Sequence, residues 1–343
     1  MASMVRVAVL GVGSLGREHA RVYAELAREG LVELAGLYDV QPAAAAVQAE
    51  KLGVPAFPSV EAALAAADAV SVVTPTVTHH ALARQALEAG RHVLVEKPMT
   101  DSAAQAADLV ERAGARDLVL QVGHIERFNP VFRYLEEACT QPRFIECHRL
   151  SPFPKRSTDI GVVLDLMIHD LDVILAFVKS PLAAVEAVGI PVLSASEDIA
   201  NARLRFADGC VANLTASRIS PERMRKIRVF SGGDRPSYVS LDYRAQEGFL
   251  YRLADEGAEA SSLLHKLFHA RDAAVVSEFA GRKILREPVP LAKEEPLRVE
   301  LQHFVECVRA RRTPRVTGQQ AKDALDVAFE ITRQIAPSLR RQP

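Results

Sequence analysis

The sequence predicts an α/β plus α+β chain: a doubly wound parallel sheet first, then a domain on a largely antiparallel sheet. Three observations predict it. Over the first 122 residues, strand and helix signals alternate with short loops, the pattern of a parallel sheet with right-handed crossovers. A glycine-rich turn, Gly11-Val-Gly-Ser-Leu-Gly16, joins the first strand to the first helix. Past a long apolar segment, Ile160 to Val178, strand follows strand without intervening helices, as in antiparallel sheets with one covered face.

The strands of the first half are expected at Val5–Leu10, Val32–Tyr38, Ala69–Thr74, His92–Val95 and Leu118–Val122. Each is a short run rich in β-branched residues, suited to burial on both faces. Ser59 is expected to cap the short helix before Ala67, and Thr78 the helix through Glu88, which stops at Gly90. The pattern changes near Gly123-His-Ile-Glu-Arg-Phe-Asn-Pro130. After one helix and one strand, Ile160–Val178 is long enough for a five-turn helix. Strands follow at Ala184–Leu193, Ala200–Phe206, Val211–Ser217, Ile227–Ser231, Tyr238–Tyr243 and Phe249–Leu253. Residues 255–285 give little signal beyond a short helix around Leu263–Phe268. Helices around Arg298–Ala310 and Gly318–Ile335 close the chain.

At 343 residues the length favours two domains. Forty-two basic residues nearly balance 43 acidic ones, so no net basic field invites nucleic acid. Cys139, Cys147, Cys210 and Cys307 show no CxxC spacing, which favours reduced thiols over a metal cluster. No apolar run is long enough to span a bilayer. The first strand begins by about Val5, which leaves no room for a signal peptide, and Met1–Met4 carries no structural weight. A soluble cytoplasmic protein is expected, with no membrane or nucleic-acid partner.

The glycine turn sits where a dinucleotide pyrophosphate would meet a helix N-terminus. Gly11, Gly13 and Gly16 allow a tight turn, close approach of the backbone and seating of the helix, with Ser14 and Leu15 between them. Asp39 ends the next strand about twenty residues on. A carboxylate there accepts hydrogen bonds from ribose hydroxyls and repels a 2′-phosphate, so NAD is favoured over NADP. Glu96-Lys97-Pro98 follows an apolar strand. Lys97 therefore stands at the strand's C-terminal end, where ligands of open α/β sheets bind, placed to bond a hydroxyl or relay its proton. In Asp165-Leu-Met-Ile-His169-Asp170-Leu-Asp172, residues four apart share a helix face. Asp165 can then orient His169, with Asp172 near the same stripe, as suits a group that accepts a proton from an alcohol. His19 is near the pyrophosphate turn only by sequence, and at most one of His79 and His80 would face the cofactor. His124 is expected in the cleft, while His148, His265, His269 and His303 are expected to be structural or exposed. No metal site is expected.

With these residues in place, the chain resembles the glucose–fructose oxidoreductase/inositol dehydrogenase/MocA family along nearly its whole length. The matching motifs, in order, are Gly11-Val-Gly-Ser-Leu-Gly16, Thr74-Pro-Thr-Val-Thr-His79, Glu96-Lys-Pro98, Arg127-Phe-Asn-Pro130 and Asp165-x-x-x-His169. Phe304-Val-Glu-Cys-Val through Pro314-Arg-Val-Thr-Gly318 is similar to the family's terminal helices. The resemblance implies an NAD-binding Rossmann domain over 1–123 and a substrate and oligomerisation domain on an open, mostly antiparallel sheet over 124–297. Helices over 298–343 would return to brace the first domain. It also implies that Lys97, His169 and Asp165 are catalytic, with His169 the general base. Thr74, Pro75, Thr76, His79 and Glu96 would then join the cofactor contacts, and His124, Arg127, Asn129 and Asp172 the substrate contacts. Family members usually form dimers or tetramers through the sheet face. Many carry asparagine where this chain has Thr76, and glycine where it has Met167, which bears on substrate shape.

Gly161-Val-Val-Leu-Asp-Leu-Met-Ile-His-Asp-Leu-Asp172 and Gly123–Pro130 are similar to family members that oxidise the 3-hydroxyl of UDP-N-acetylglucosamine, including those that supply a 3-keto sugar for lipid A. Lys155 and Arg156, just upstream, would offer two cations to a diphosphate. The expectation is an NAD-dependent sugar-nucleotide dehydrogenase, with a ring hydroxyl between Lys97 and His169. A dehydrogenase of a free polyol such as an inositol, and a catalytically silent NAD-binding sensor, are the rival readings.

Overall fold

Five strands form the first sheet of the computed structural model, which describes residues 4–153, 160–233, 236–254, 274–279 and 282–339. They are β1 (Arg6–Leu10), β2 (Glu33–Tyr38), β3 (Ala69–Val72), β4 (His92–Glu96) and β5 (Leu120–Gly123). All pair in parallel, in the order β2-β1-β3-β4-β5. Every residue of β3, β4 and β5 is buried, which is why these segments read as unbroken apolar runs. Helices α1 (Ser14–Arg28), α2 (Pro42–Leu52), α3 (Val60–Ala66), α4 (Thr76–Glu88) and α5 (Ala103–Ala115) occupy the crossovers. Strand order reverses between β1 and β3, and Leu10 is level with both Tyr38 and Val72. The crevice at such a reversal is where this architecture binds ligands.

Ser59 caps α3 as expected, its hydroxyl accepting from the Ala62 amide at 3.2 Å. Thr78 does not cap α4. The helix starts at Thr76, as soon as the chain leaves extended Pro75. From the third helical position the Thr78 hydroxyl folds back, 2.8 Å from the Pro75 carbonyl and 2.7 Å from the Thr74 hydroxyl.

Residues up to Phe128 together with Glu295–Asp326 make one compact unit; Asn129–Glu294 with the residues from Val327 on make the second. In the first, α8 (Pro296–Ala310) shares a core with α1, where Leu301, Phe304 and Val308 join Val22, Tyr23 and Leu26. The chain then bonds the edge of β5, the Val122 amide donating to the Val316 carbonyl at 3.3 Å.

The second unit opens with α6 (Pro130–Ala138) and is built on nine strands: β6 (Pro142–Leu150), β7 (Leu182–Ile190), β8 (Ile199–Phe206), β9 (Val211–Ser217), β10 (Met224–Ser231), β11 (Ser237–Asp242), β12 (Glu247–Leu253), β13 (Ala274–Phe279) and β14 (Arg282–Pro288). Their order is β13-β14-β12-β11-β10-β6-β9-β8-β7, antiparallel throughout except for the β6–β9 pair. Burial alternates along β6, β8, β9 and β10, so among the described residues one face is covered and the other is not. The expected five-turn helix over 160–178 is instead a π-helical stretch, Val163–Met167, which runs into α7 (Ile168–Phe177). The Ile168 amide reaches back five residues to the Val163 carbonyl, the bond that defines that form. The stretch packs on β9, and α7 packs on α6. Residues 255–285, nearly silent in sequence, contain β13 and the start of β14; the helix expected at Leu263–Phe268 lies outside the described residues. The final helix, α9 (Gly318–Leu339), lays Gln334 along edge strand β7. Its amide donates to the Val185 carbonyl at 3.0 Å and its oxygen accepts from the Ala187 amide at 3.0 Å. Among the described residues, no helix is long and apolar enough to cross a membrane.

Candidate active site

The glycine turn has a separate steric reason at each glycine. Gly11 has φ +94°, and a Cβ there would come within 2.4 Å of the Val73 carbonyl oxygen. A Cβ on Gly16 would meet the Gly11 carbonyl oxygen at 2.0 Å, so helix and turn pack backbone to backbone. Gly13, by contrast, has nothing within 4 Å of its would-be Cβ, and with Ser14 and Leu15 it is exposed. Gly13 is the N-cap of α1 and supplies no side-chain bond; no acidic residue occupies the first turn. Open amides and the positive end of a fifteen-residue helix therefore meet at an accessible surface, a ready site for a phosphate group. Asp39, half-buried, accepts from the Val12 amide at 2.8 Å and the Gln41 amide at 2.9 Å. An ionised carboxylate has about four acceptor positions, so capacity for ribose hydroxyls remains.

At the end of β4, Lys97 is half-buried and follows the buried Glu96. The Glu96 carboxylate turns inward. Oε1 lies 3.1 Å from Nε2 of the fully buried His19, and Oε2 accepts from the Lys97 amide at 3.2 Å. Burial opposes its ionisation. The hydrogen bond and electrostatic attraction of His19, together with Lys97, outweigh that and hold the carboxyl below its ordinary range. His79 is also buried, and its ring nitrogens lie 2.9 Å from the Pro98 carbonyl oxygen and 2.8 Å from that of Thr74. It thus straps the end of β3 to the Lys97-Pro98 segment. Burial lowers its pKa, against the pull of those two carbonyls. Burial, reinforced by the charge of Lys97, pushes His124 down to about 3, so this imidazole is neutral at pH 7.

Arg127 and Asn129, expected at the substrate, are both buried in backbone contacts. Arg127 donates to the Arg315 carbonyl at 3.2 Å. Asn129 caps α6 through the Val131 amide at 3.1 Å and donates to the Tyr243 carbonyl at 3.0 Å.

In the second unit, Asp165 lies inside the π-helical stretch and His169 in the first turn of α7; both are half-buried. A turn closed five residues back holds more than 3.6 residues, so their facing cannot be read from α-helical spacing. Asp172 is buried, and Met167 is fully buried. The start of the segment is set by Glu197. Its carbonyl accepts from the Val162 amide at 3.0 Å and its carboxylate from the Val163 amide at 3.2 Å. Fully buried Arg218 donates to the Ile160 carbonyl at 2.6 Å and to Asp198 at 2.8 Å. Behind His169, Asp170 takes Arg149 bidentately at 2.8 and 3.0 Å, with both side chains buried. Lys155 and Arg156 lie outside the described residues.

Residues 5–124 match the model of the GFO/IDH/MocA oxidoreductase family with an NAD-binding Rossmann fold, and residues 136–233 that of its C-terminal domain. The chain belongs to this family. As a GFO/IDH/MocA protein it is 39% identical over 338 residues to the UDP-N-acetylglucosamine 3-dehydrogenase of Acidithiobacillus ferrooxidans, covering 98% of this chain and 99% of the relative. A crystal form of that enzyme superposes with a TM-score of 0.84 at 36% identity, covering 98% and 99% of the two chains. The scyllo-inositol 2-dehydrogenase (NAD(+)) of Bacillus subtilis is 26% identical, covering 97% and 94%.

This GFO/IDH/MocA chain is thus an NAD-dependent dehydrogenase, and its residues fit the cofactor: free amides and open space at Gly13, and a carboxylate at the end of β2. Sequence reasoning missed the supports beneath these groups. His19 carried one usable signal, since it falls with Gly16, Ala20 and Tyr23 on the buried stripe of α1. Glu197, Asp198 and Arg218 carried none, because charges in the loops that flank strands read as solvated.

Proposed function

We propose that this chain oxidises a ring hydroxyl of a sugar nucleotide to a ketone, namely the 3-hydroxyl of UDP-N-acetylglucosamine. The observation that carries the substrate is the end-to-end similarity to the Acidithiobacillus enzyme, which runs through both units. NAD, when bound, supplies the hydride acceptor. The amides of Gly13, Ser14 and Leu15 would hold its pyrophosphate and Asp39 its ribose, with Thr74, Pro75 and Thr76 toward the nicotinamide. Lys97 bonds the substrate hydroxyl. His169, oriented by Asp165, takes the hydroxyl proton; a placed base of this kind contributes roughly a hundredfold or more. His124, neutral at pH 7, serves as a hydrogen-bonding group rather than an acid. Homo-oligomerisation through the uncovered face of the nine-stranded sheet completes the reading.

The test is NADH formation by purified protein with NAD and UDP-N-acetylglucosamine, using a ketone trap to draw the equilibrium. A signal that Lys97→Ala abolishes, with NAD binding retained, is the expected outcome. A signal with free inositols alone would sink the sugar-nucleotide assignment. Normal turnover in Lys97→Ala would overturn the site.

A further inference from the structure

Three segments converge on one carboxylate. Glu96 ends β4; His19 reaches it from α1 at 3.1 Å, and the Lys97 amide donates to it at 3.2 Å. From β5, Gly123 makes room for it, since a Cβ there would lie 2.6 Å from Oε1. The environment is interior, with Glu96 7% and His19 0% exposed.

We propose that the His19–Glu96 pair is a positioning device for Lys97: it fixes the backbone from which the lysine projects and ties it to the helix that receives the pyrophosphate. The inference rests on the reading of Lys97 as the group that touches the substrate hydroxyl. Both Glu96 oxygens are turned to protein donors, one to His19 and one to the Lys97 amide. His19 Nδ1 has no partner among the described residues, so the ring's polar contact is the Nε2 bond to Glu96. An apolar residue would fill this stripe of α1 at lower desolvation cost. A histidine there is accounted for by the bond it makes. The depressed Glu96 pKa agrees with a carboxylate kept as an anion at working pH.

The experiment compares His19→Leu, His19→Gln, Glu96→Gln and the double variant His19→Leu/Glu96→Gln. The readouts are kcat, NAD affinity and histidine-edited NMR of the cofactor-free protein. Misplacing a reacting group by about 1 Å costs on the order of a hundredfold, so His19→Leu should lose about that much kcat while the NAD Kd stays within roughly threefold. His19→Gln keeps a donor and should recover to within about tenfold of wild type. A packing role predicts the reverse order, with Leu at least as good as Gln, and that result overturns the proposal. The double variant should be no slower than the slower single one, because residues acting as one unit are not additive; multiplying losses overturn it too. In wild type the His19 Nε2–H signal should be slow to exchange, and Glu96→Gln should shift it; an unchanged signal contradicts the bond without reference to turnover. Full kcat in both Glu96→Gln and His19→Leu alongside an inactive Lys97→Ala rejects this inference and leaves the catalytic reading standing. An active Lys97→Ala rejects the catalytic reading instead.

Discussion

Gly161 leaves no room for a methyl group. A Cβ there would stand 1.9 Å from Glu197 Oε1 and 2.2 Å from its carboxyl carbon, and that same oxygen accepts from the Val163 amide at 3.2 Å. The glycine is required by close approach and not by its backbone angles, since its φ is not among the positive values. Gly161→Ala must therefore move a buried carboxylate away from the amide it caps. Losing a cap costs about 1 kcal/mol, and forcing atoms into a packed interior adds about 1–3 kcal/mol. A lower urea midpoint at unchanged slope, equivalent to a loss of roughly 2 kcal/mol or more of stability, is expected. A midpoint equal to wild type would mean that the carboxylate moves aside without cost. Gly123 stands in the same relation to Glu96. In each unit, a glycine thus makes space for the acid that supports a candidate catalytic segment.

At the scale of elements, the segment bearing Asp165 and His169 is held at its start by a knot of buried charge. Asp198 accepts from the amides of Val192, Leu193 and Ser194 at 2.8, 2.6 and 2.9 Å and from Arg218 at 2.8 Å. Arg218 in turn reaches Ser194 and Ser196 at 2.8 and 2.9 Å. Burial pushes the Asp198 pKa up, but these donors, the Leu193 amide and Arg218 foremost, pull it well below the ordinary carboxylate range. The unfolded chain, with its aspartates near about 4, therefore takes up the proton first on acidification. The stabilisation is complete above that value and is lost as pH falls below it toward the folded pKa. Stability measured from about pH 6 to pH 2 should fall in wild type, and that acid-dependent part should shrink in Asp198→Asn. An equal acid slope in the two proteins would remove Asp198 from the account. The sequence disclosed the segment but not its form. The length of the apolar run marked Ile160–Val178 as helix, whereas the π-helical stretch depends on Glu197 and Arg218, which are donated by two loops far along the chain. Likewise β3, β4 and β5 were legible because each is buried along its length. His19 was not linked to Glu96, because a contact between residues 77 apart in sequence leaves no local period. Thr78 was read as a cap by residue type, while Pro75 decides where α4 begins.

For the whole molecule, the nine-stranded sheet raises the question of its uncovered face. Across β6, β10, β11 and β12, register places Phe144, Phe230, Tyr238 and Tyr251 in one row. Ring centroids are separated by 5.8, 4.6 and 5.0 Å in turn. Phe230 is 38% exposed, and on the same face Val188 and Ile190 are 68% and 52% exposed. Lys226, Arg228 and Glu146 lie between these apolar groups, so the face mixes aromatic anchors with polar positions, a composition common at protein interfaces. A second copy of the same face is the occupant proposed for it. Phe230 sits on the uncovered face, so Phe230→Lys should leave the monomer's stability nearly intact. Removing a central aromatic anchor costs more than about 1 kcal/mol of association, and burying a lysine in its place adds to that. Light scattering coupled to gel filtration should give a multiple of the chain mass for wild type and a smaller species for the variant, with association weakened by at least about tenfold. A monomeric wild type at micromolar concentration would reject self-association. An assembled variant with wild-type affinity would move the interface off the aromatic row, because a desolvated lysine charge there would have to be tolerated without a partner.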